Sequence, residues 1–204
     1  LEDNVSKEEK LDHSKLVESY EEHSKKLDPN KIVGEQLLDV GTVILDEFFD
    51  QYGESTFDVY DKEHAFSFVI GSYFIVGYID RIDVVDDNTL KIIDYKTGKW
   101  EVTQKDIANN LQLGIYALAV SEKFPDKNIY AELYYLRSGR RKGHLFTKED
   151  LENVKENILK EINKITEDTS FHPTKNERAC TYCDFAKSGA CNTGVFRLRK
   201  FAKA

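Results

Sequence analysis

No stretch of the 204 residues approaches the roughly 20 consecutive apolar positions of a membrane-spanning helix, which excludes a chain built on such helices. The basic n-region and apolar h-region of a secretory signal are also missing. Methionine is absent and the chain starts at Leu1, which together predict a fragment or trimmed domain of a longer protein. Basic residues are in deficit: 29 Lys and Arg stand against 37 Asp and Glu, for a net charge of −8. That balance argues against a protein that coats nucleic acid by bulk electrostatics. A local basic stripe or a bound metal can still reverse the field at one site. Cysteines are few, with Cys180, Cys183 and Cys191 the only three. An odd number without a secretion signal speaks against a disulfide scaffold. It predicts a reducing, cytoplasmic compartment and metal ligation. No internal repeat or low-complexity tract is present.

What remains is an ordinary globular composition, 40% hydrophobic and 32% charged. A chain of this length buries roughly 70% of the surface it would expose unfolded, so it needs no staples. Hydrophobic spacing predicts a surface helix over 6–26 and a second, broadly buried helix over 31–52, weakened by Gly41. Between 57 and 96 the pattern turns β-branched and aromatic. Three strands over 66–70, 73–79 and 90–95 should form an antiparallel meander, with turns at Gly71-Ser72 and Asp86-Asp87-Asn88. A helix over 103–124 stops at Pro125. Strands over 129–137 and 141–146 flank Ser138-Gly139, and a helix begins at Thr147 and runs to about Thr166. This order predicts an α/β fold, a mixed β-sheet flanked by helices. Residues 1–170 form its core, and 171–204 form a cysteine-containing segment packing on it.

The chemistry concentrates in Gly77-Tyr78-Ile79-Asp80-Arg81-Ile82-Asp83 and Ile92-Ile93-Asp94-Tyr95-Lys96-Thr97-Gly98. Asp94 and Lys96 are two apart on a strand and project from one face. Asp80 ends the preceding strand, so Asp80 and Asp94 converge if the two strands pair. Two carboxylates at one point repel unless a cation lies between them. Hard oxygen ligands without a nearby cysteine favour Mg²⁺ or Mn²⁺. Lys96 would then orient or deprotonate a water, or hold a phosphate as a point charge, and such a set hydrolyses phosphodiesters. Spacing alone leaves a plainer reading open, with Asp80 ion-paired to Arg81 or Lys96 at solvated strand ends.

The Gly77-x-x-Asp80-Arg81-x-Asp83 and Asp94-Tyr95-Lys96-Thr97-Gly98 segments resemble the signature of the RecB-like branch of the PD-(D/E)XK nuclease superfamily. Gln112-Leu113-Gly114-Ile115-Tyr116 matches that branch's Gln-x-x-x-Tyr motif, and residues about 31–190 follow its order of elements. The resemblance implies a restriction-endonuclease-like fold and a Mg²⁺- or Mn²⁺-dependent deoxyribonuclease acting by in-line attack of water. Exonuclease action is favoured over endonuclease action. Asp80 and Asp94 would bind metal, joined by the Tyr95 carbonyl, and Lys96 would be the catalytic lysine. Gln112 and Tyr116, at i and i+4 on one helix face, would look towards the active site and the nucleic-acid backbone. Arg81 and Asp83 would brace the strands by ion pairing. Glu63 sits where many relatives carry a glutamate, although an exposed strand charge is the stronger reading. An early-helix histidine usually joins the family's metal site. His13 is the candidate here, with His23 the alternative.

Cys180, Cys183 and Cys191 form a C-x₂-C-x₇-C array that resembles the C-terminal cluster of helicase-associated and CRISPR-adaptation nucleases of this branch. There, three such cysteines join a distant fourth to hold a [4Fe–4S] cluster. This chain has no fourth cysteine, and zinc with a histidine such as His172 is a chemical alternative. Arg140, Arg141 and Lys142, with a second basic group at Arg197, Arg199, Lys200 and Lys203, are candidate strand-guiding surfaces. The expected partners are DNA, single-stranded or as a duplex end, and a helicase domain or other recombination protein. The expected setting is repair, recombination or CRISPR adaptation. The competing expectation is a non-catalytic nucleic-acid-binding or iron–sulfur structural module.

Overall fold

The computed structural model describes residues 10–26, 35–170, 172–174 and 176–191. One five-stranded sheet organises it. Strands β1 (Val59–Ile70), β2 (Tyr73–Asp86), β3 (Thr89–Lys96), β4 (Asn128–Tyr135) and β5 (Arg140–Phe146) lie side by side in chain order. The β1–β2, β2–β3 and β4–β5 pairs are antiparallel, as the short turns between them require. β3 and β4 run parallel, from Thr89 opposite Asn128 to Lys96 opposite Tyr135. A parallel pair needs a crossover, and the segment between supplies it as a 3₁₀ helix (Gln104–Asn109) followed by α3 (Leu111–Lys123).

The sequence predicts one continuous helix over 103–124, and the structure breaks it at Asn110. That side chain accepts the Leu113 N–H and caps α3, competing with the backbone for the same donor.

Two layers of helix cover the sheet. α1 (His13–Lys25) and α2 (Glu35–Tyr52) bury Leu11, Leu16 and Phe48 against Ile93 and Tyr134. Gly41 does not interrupt α2. A Cβ there would overlap the Tyr20 hydroxyl, so the glycine lets α1 approach. On the other face α3 buries Leu113, Ala117, Leu118 and Val120. Strand alternation therefore directs Ile93 to the α1–α2 layer and Asp94 to the α3 layer. α4 (Lys148–Glu167) opens with a reciprocal cap: Thr147 N–H donates to Asp150 Oδ2 (2.8 Å), and Asp150 N–H donates to Thr147 Oγ1 (3.1 Å). By contacts the chain divides into two compact units, residues 1–160 and 161–204, so the second takes the end of α4 with the cysteine segment. Among the described residues no helix is long and apolar enough to cross a membrane.

α3 and α4 meet at Gly114, where a Cβ would come within 2.6 Å of Val154 Cγ2. Val154 is β-branched and buried, so it has no free rotamer to yield. Gly114→Ala should therefore cost about 1–3 kcal/mol by overpacking, outweighing its gain in helix propensity of roughly 1 kcal/mol. Thermal unfolding should show it as a drop of roughly 2–4 °C per kcal/mol.

Candidate active site

In the β2–β3 ladder Ile82 stands opposite Ile92 and Arg81 opposite Ile93. Carried one residue on, that register sets Asp80 opposite Asp94. Asp80 Oδ2 accepts the Tyr95 N–H at 2.8 Å, which fixes one carboxylate against the backbone of the other's strand. Asp94 is 2% exposed, and Lys96, two residues on, returns along the same face to place Nζ 2.5 Å from Asp94 Oδ2. The directed hydrogen bond of that ammonium goes to Gln112 Oε1 (2.9 Å). Gln112 Nε2 in turn donates to the Tyr116 hydroxyl (2.8 Å), and the buried Tyr116 ring packs edge-on against Phe66. Asp80, Asp94, Lys96, Gln112 and Tyr116 thus form one connected group, built from β2, β3 and the first turns of α3.

Burial pushes the Asp94 carboxyl above the ordinary aspartate range. Lys96 pulls it back and Asp80 adds to the rise. Burial also raises the Tyr116 hydroxyl, against the pull of Gln112, so Tyr116 stays a neutral phenol. Asp94 Oδ2 is buried, and the Lys96 ammonium 2.5 Å away faces it. A buried carboxylate beside a second carboxylate is where a cation relieves both burial and repulsion. The donors are hard oxygens, so these residues fit a hard divalent ion.

The structure does not bring His13 to this pair. His13 Nε2 bonds Asp46 of α2 (2.7 Å) and its ring stands edge-on to Phe49, so its helix neighbours capture it. Its helix also packs on the layer that faces Ile93 rather than Asp94. His23 bonds its own helix at the Ser19 carbonyl. Glu63 is exposed, with φ at +46°. Arg81 and Asp83 form a buried bidentate pair on the face away from Asp94, which is a bracing position.

The Arg140–Lys142 turn is not the open cationic patch that its sequence suggests. Arg141 turns inward to pair with Glu132 and lies over the Tyr134 ring (4.0 Å) and the Tyr52 ring (4.9 Å). Arg140 and Lys142 both pair with Glu101, at 2.9 and 3.1 Å. Glu101 and Glu132 carry no motif, so sequence reasoning missed them. Glu132 alternates with the apolar positions of β4, which was the available signal. The second basic group, Arg197 to Lys203, lies outside the described residues.

In the second unit Asn176 caps α5 (Glu177–Tyr182), and Cys183 joins it to α6 (Asp184–Lys187). Cys180 is buried, Cys183 and Cys191 are half-buried, and the three form no disulfide. Among the described residues no group of three or more His, Cys, Asp or Glu side chains is placed to hold a metal ion. The cysteine array is therefore not gathered as a ligand set. Cys180 packs inward while Cys191 follows α6, its N–H bonded to the Phe185 carbonyl.

A family model for the PD-(D/E)XK nuclease superfamily matches residues 2–189. The chain is 40% identical over 73 residues to a subunit of the ATP-dependent helicase/deoxyribonuclease of Carboxydothermus hydrogenoformans, covering 32% of this chain and 7% of that one. It is 30% identical over 95 residues to the subunit of the same name from Lactococcus lactis, covering 46% and 9%. The chain thus spans less than a tenth of the length of these relatives. A solved Eubacterium rectale structure, of a protein assigned as an exonuclease, aligns over 91% of this chain and 77% of its own. The identity is 12% and the TM-score 0.47, too distant a likeness to carry argument.

Proposed function

The chain belongs to the PD-(D/E)XK nuclease superfamily, and we propose that it is a divalent-metal-dependent deoxyribonuclease, acting as an exonuclease, whose site is Asp80, Asp94, Lys96, Gln112 and Tyr116. The observation that carries this reading is the buried Asp94 carboxylate opposite Asp80, with a lysine locked beside it. Asp80, Asp94 and the Tyr95 carbonyl would hold Mg²⁺ or Mn²⁺. When bound, that ion stabilises charge on the phosphate and acidifies the attacking water. Lys96 meets the non-bridging phosphate oxygens with a fixed positive charge. Gln112 keeps that ammonium from swinging away, and Tyr116 keeps Gln112 in place. Water adds to phosphorus and the P–O3′ bond breaks, leaving a 5′-phosphate and a 3′-hydroxyl. Arg140, its side chain 67% exposed, remains able to reach a phosphate beyond its contact with Glu101.

The regions similar to this chain lie within helicase/deoxyribonuclease subunits, which supports a nuclease module working beside a helicase in repair or recombination. Three cysteines outside any disulfide suit a reducing, intracellular setting. They are one short of the four that a cysteine-held [4Fe–4S] cluster takes, and no step of this reading passes through them.

The test is cleavage of end-labelled single- and double-stranded DNA in Mg²⁺ or Mn²⁺, with EDTA as control. Metal-dependent shortening from an end, leaving 5′-phosphates, is expected. A folded protein that binds the ion yet cuts neither substrate would be a non-catalytic module. Gln112→Ala should slow the step at saturating DNA by about tenfold or more while leaving KM nearly unchanged, because it frees Lys96 without removing it.

A further inference from the structure

Between Lys96 and the 3₁₀ helix at Gln104, residues 97–103 cross the surface as a loop pinned at both ends. Arg137 Nε donates to the Thr97 carbonyl (2.7 Å). The Val102 N–H donates to the Tyr135 hydroxyl (3.0 Å), and Lys142 Nζ donates to the Val102 carbonyl (2.6 Å). Ser138 Oγ and Arg140 hold the Glu101 carboxylate at 2.8 and 2.9 Å. Between these clamps stands Trp100, 85% exposed and the single tryptophan of the chain.

An indole is among the most rewarding side chains to bury, and here the fold commits several side-chain contacts to fixing a loop that offers it to water. Trp100 is four Cα steps from Lys96, at most about 14 Å of extended chain. That distance is one or two nucleotide steps along an unwound strand. Lys99 beside it is exposed and free to meet a phosphate.

We propose that Trp100 is a stacking platform for a nucleobase of a single strand, one or two nucleotides from the phosphate at Asp94 and Lys96. The platform sets the path of the strand into the site, and the proposal rests on the nuclease reading above. A flat ring on a rigid loop accepts any base, since every base has a π-face, and gives no sequence preference. It requires an unpaired strand, because the faces of a base within a duplex are covered by its neighbours. This makes Trp100 a substrate-positioning residue that favours single-stranded over duplex DNA.

The single tryptophan makes the test direct. Excited beyond tyrosine absorption, the emission of the full chain reports Trp100 alone. The protein in Mg²⁺ is titrated with phosphorothioate oligothymidylate, the matching oligouridylate, an abasic oligomer of equal length and a blunt duplex. Saturable quenching by either base-bearing single strand, with little by the abasic oligomer or duplex, is the expected result. The ratio of the two identifies the preferred sugar. Trp100→Ala should weaken oligothymidylate binding about tenfold and raise KM, with kcat, abasic binding and melting temperature little changed. Trp100→Phe should restore most of the loss. Single-strand binding seen by mobility shift without a change in emission overturns the proposal, as does equal weakening of abasic binding by Trp100→Ala. Cleavage without quenching removes the platform and leaves the nuclease, whereas quenching without cleavage does the reverse.

Discussion

Asp94→Asn is expected to lower metal-dependent cleavage by roughly a thousandfold or more while leaving the metal-free protein at least as stable as the parent. The substitution is nearly isosteric, so packing around the 2%-exposed side chain is kept. What it removes is a buried negative charge opposite Asp80, and with it half of the carboxylate pair that would hold the ion. Lys96 is one-third exposed and keeps its bond to Gln112, so it is not stranded by the change. Lys96→Ala should abolish cleavage to a similar degree through the opposite loss: the carboxylates and the ion remain, but the fixed positive charge at the phosphate is gone. Mn²⁺ titrated against melting temperature separates the two. A ligand that binds only the folded state stabilises by RT ln(1 + [L]/Kd). The parent and Lys96→Ala should therefore melt higher with Mn²⁺, and Asp94→Asn should not. Cleavage that survives both substitutions would assign the chemistry to other residues.

The pH dependence follows from the same carboxylate. Its value in the folded chain is raised above the ordinary 3.8 because burial disfavours the charged form. A raised carboxylate contributes stability below its unfolded value and loses that contribution as pH rises through its folded value. Acidifying the metal-free parent from neutrality should thus relieve Asp94, whereas Asp61, Glu101 and Asp150, whose values are lowered by their partners, work the other way. The difference in stability between parent and Asp94→Asn isolates the first effect, and it should shrink as pH falls towards the ordinary aspartate value. Cation binding has the opposite trend, since protons compete for Asp94.

The proposed site is legible in the sequence because its parts depend on local periodicity and local pairing. Asp94 and Lys96 share a face by strand alternation, and Gln112 and Tyr116 by helical spacing. The short Asp86-Asp87-Asn88 turn makes β2 and β3 neighbours, which brings Asp80 across to Asp94. The losses come where a partner lies far along the chain. His13 has the expected flavour, but the carboxylate that takes it is Asp46 on the next helix. Arg140, Arg141 and Lys142 read as a patch until Glu132 and Glu101, on β4 and in the loop after β3, neutralise them. The strand pattern starts at Phe66 in the sequence, yet β1 begins at Val59, because the polar run Asp61 to His64 hides the alternation. In each case charge and spacing show what a residue is, but only the tertiary fold shows what it meets.

Arg81→Ala should cost about 3–5 kcal/mol of stability. Arg81 and Asp83 are 1% and 4% exposed and meet by two hydrogen bonds, Nε to Oδ1 at 2.6 Å and Nη2 to Oδ2 at 2.5 Å. Nη1 donates to the Tyr95 hydroxyl (3.0 Å), and the guanidinium lies 4.5 Å from the Phe57 ring centre. Truncating the arginine leaves Asp83 buried with, among the described residues, Lys91 at 3.9 Å to offset its charge. In urea the midpoint should fall with an unchanged m-value. Removing both charges as Arg81→Met with Asp83→Leu should cost less than Arg81→Ala alone, because no ion is left unpaired. The double variant also asks what the pair is for. Arg81 follows Asp80 directly, and Tyr95 accepts from Arg81 at its hydroxyl and donates its N–H to Asp80. The pair therefore ties β2 to β3 from beneath the two carboxylates. If its role is to hold that register, the double variant should be folded near parent stability yet cleave at least tenfold more slowly, with weaker Mn²⁺ stabilisation. Full activity in the folded double variant would make the pair a matter of stability alone.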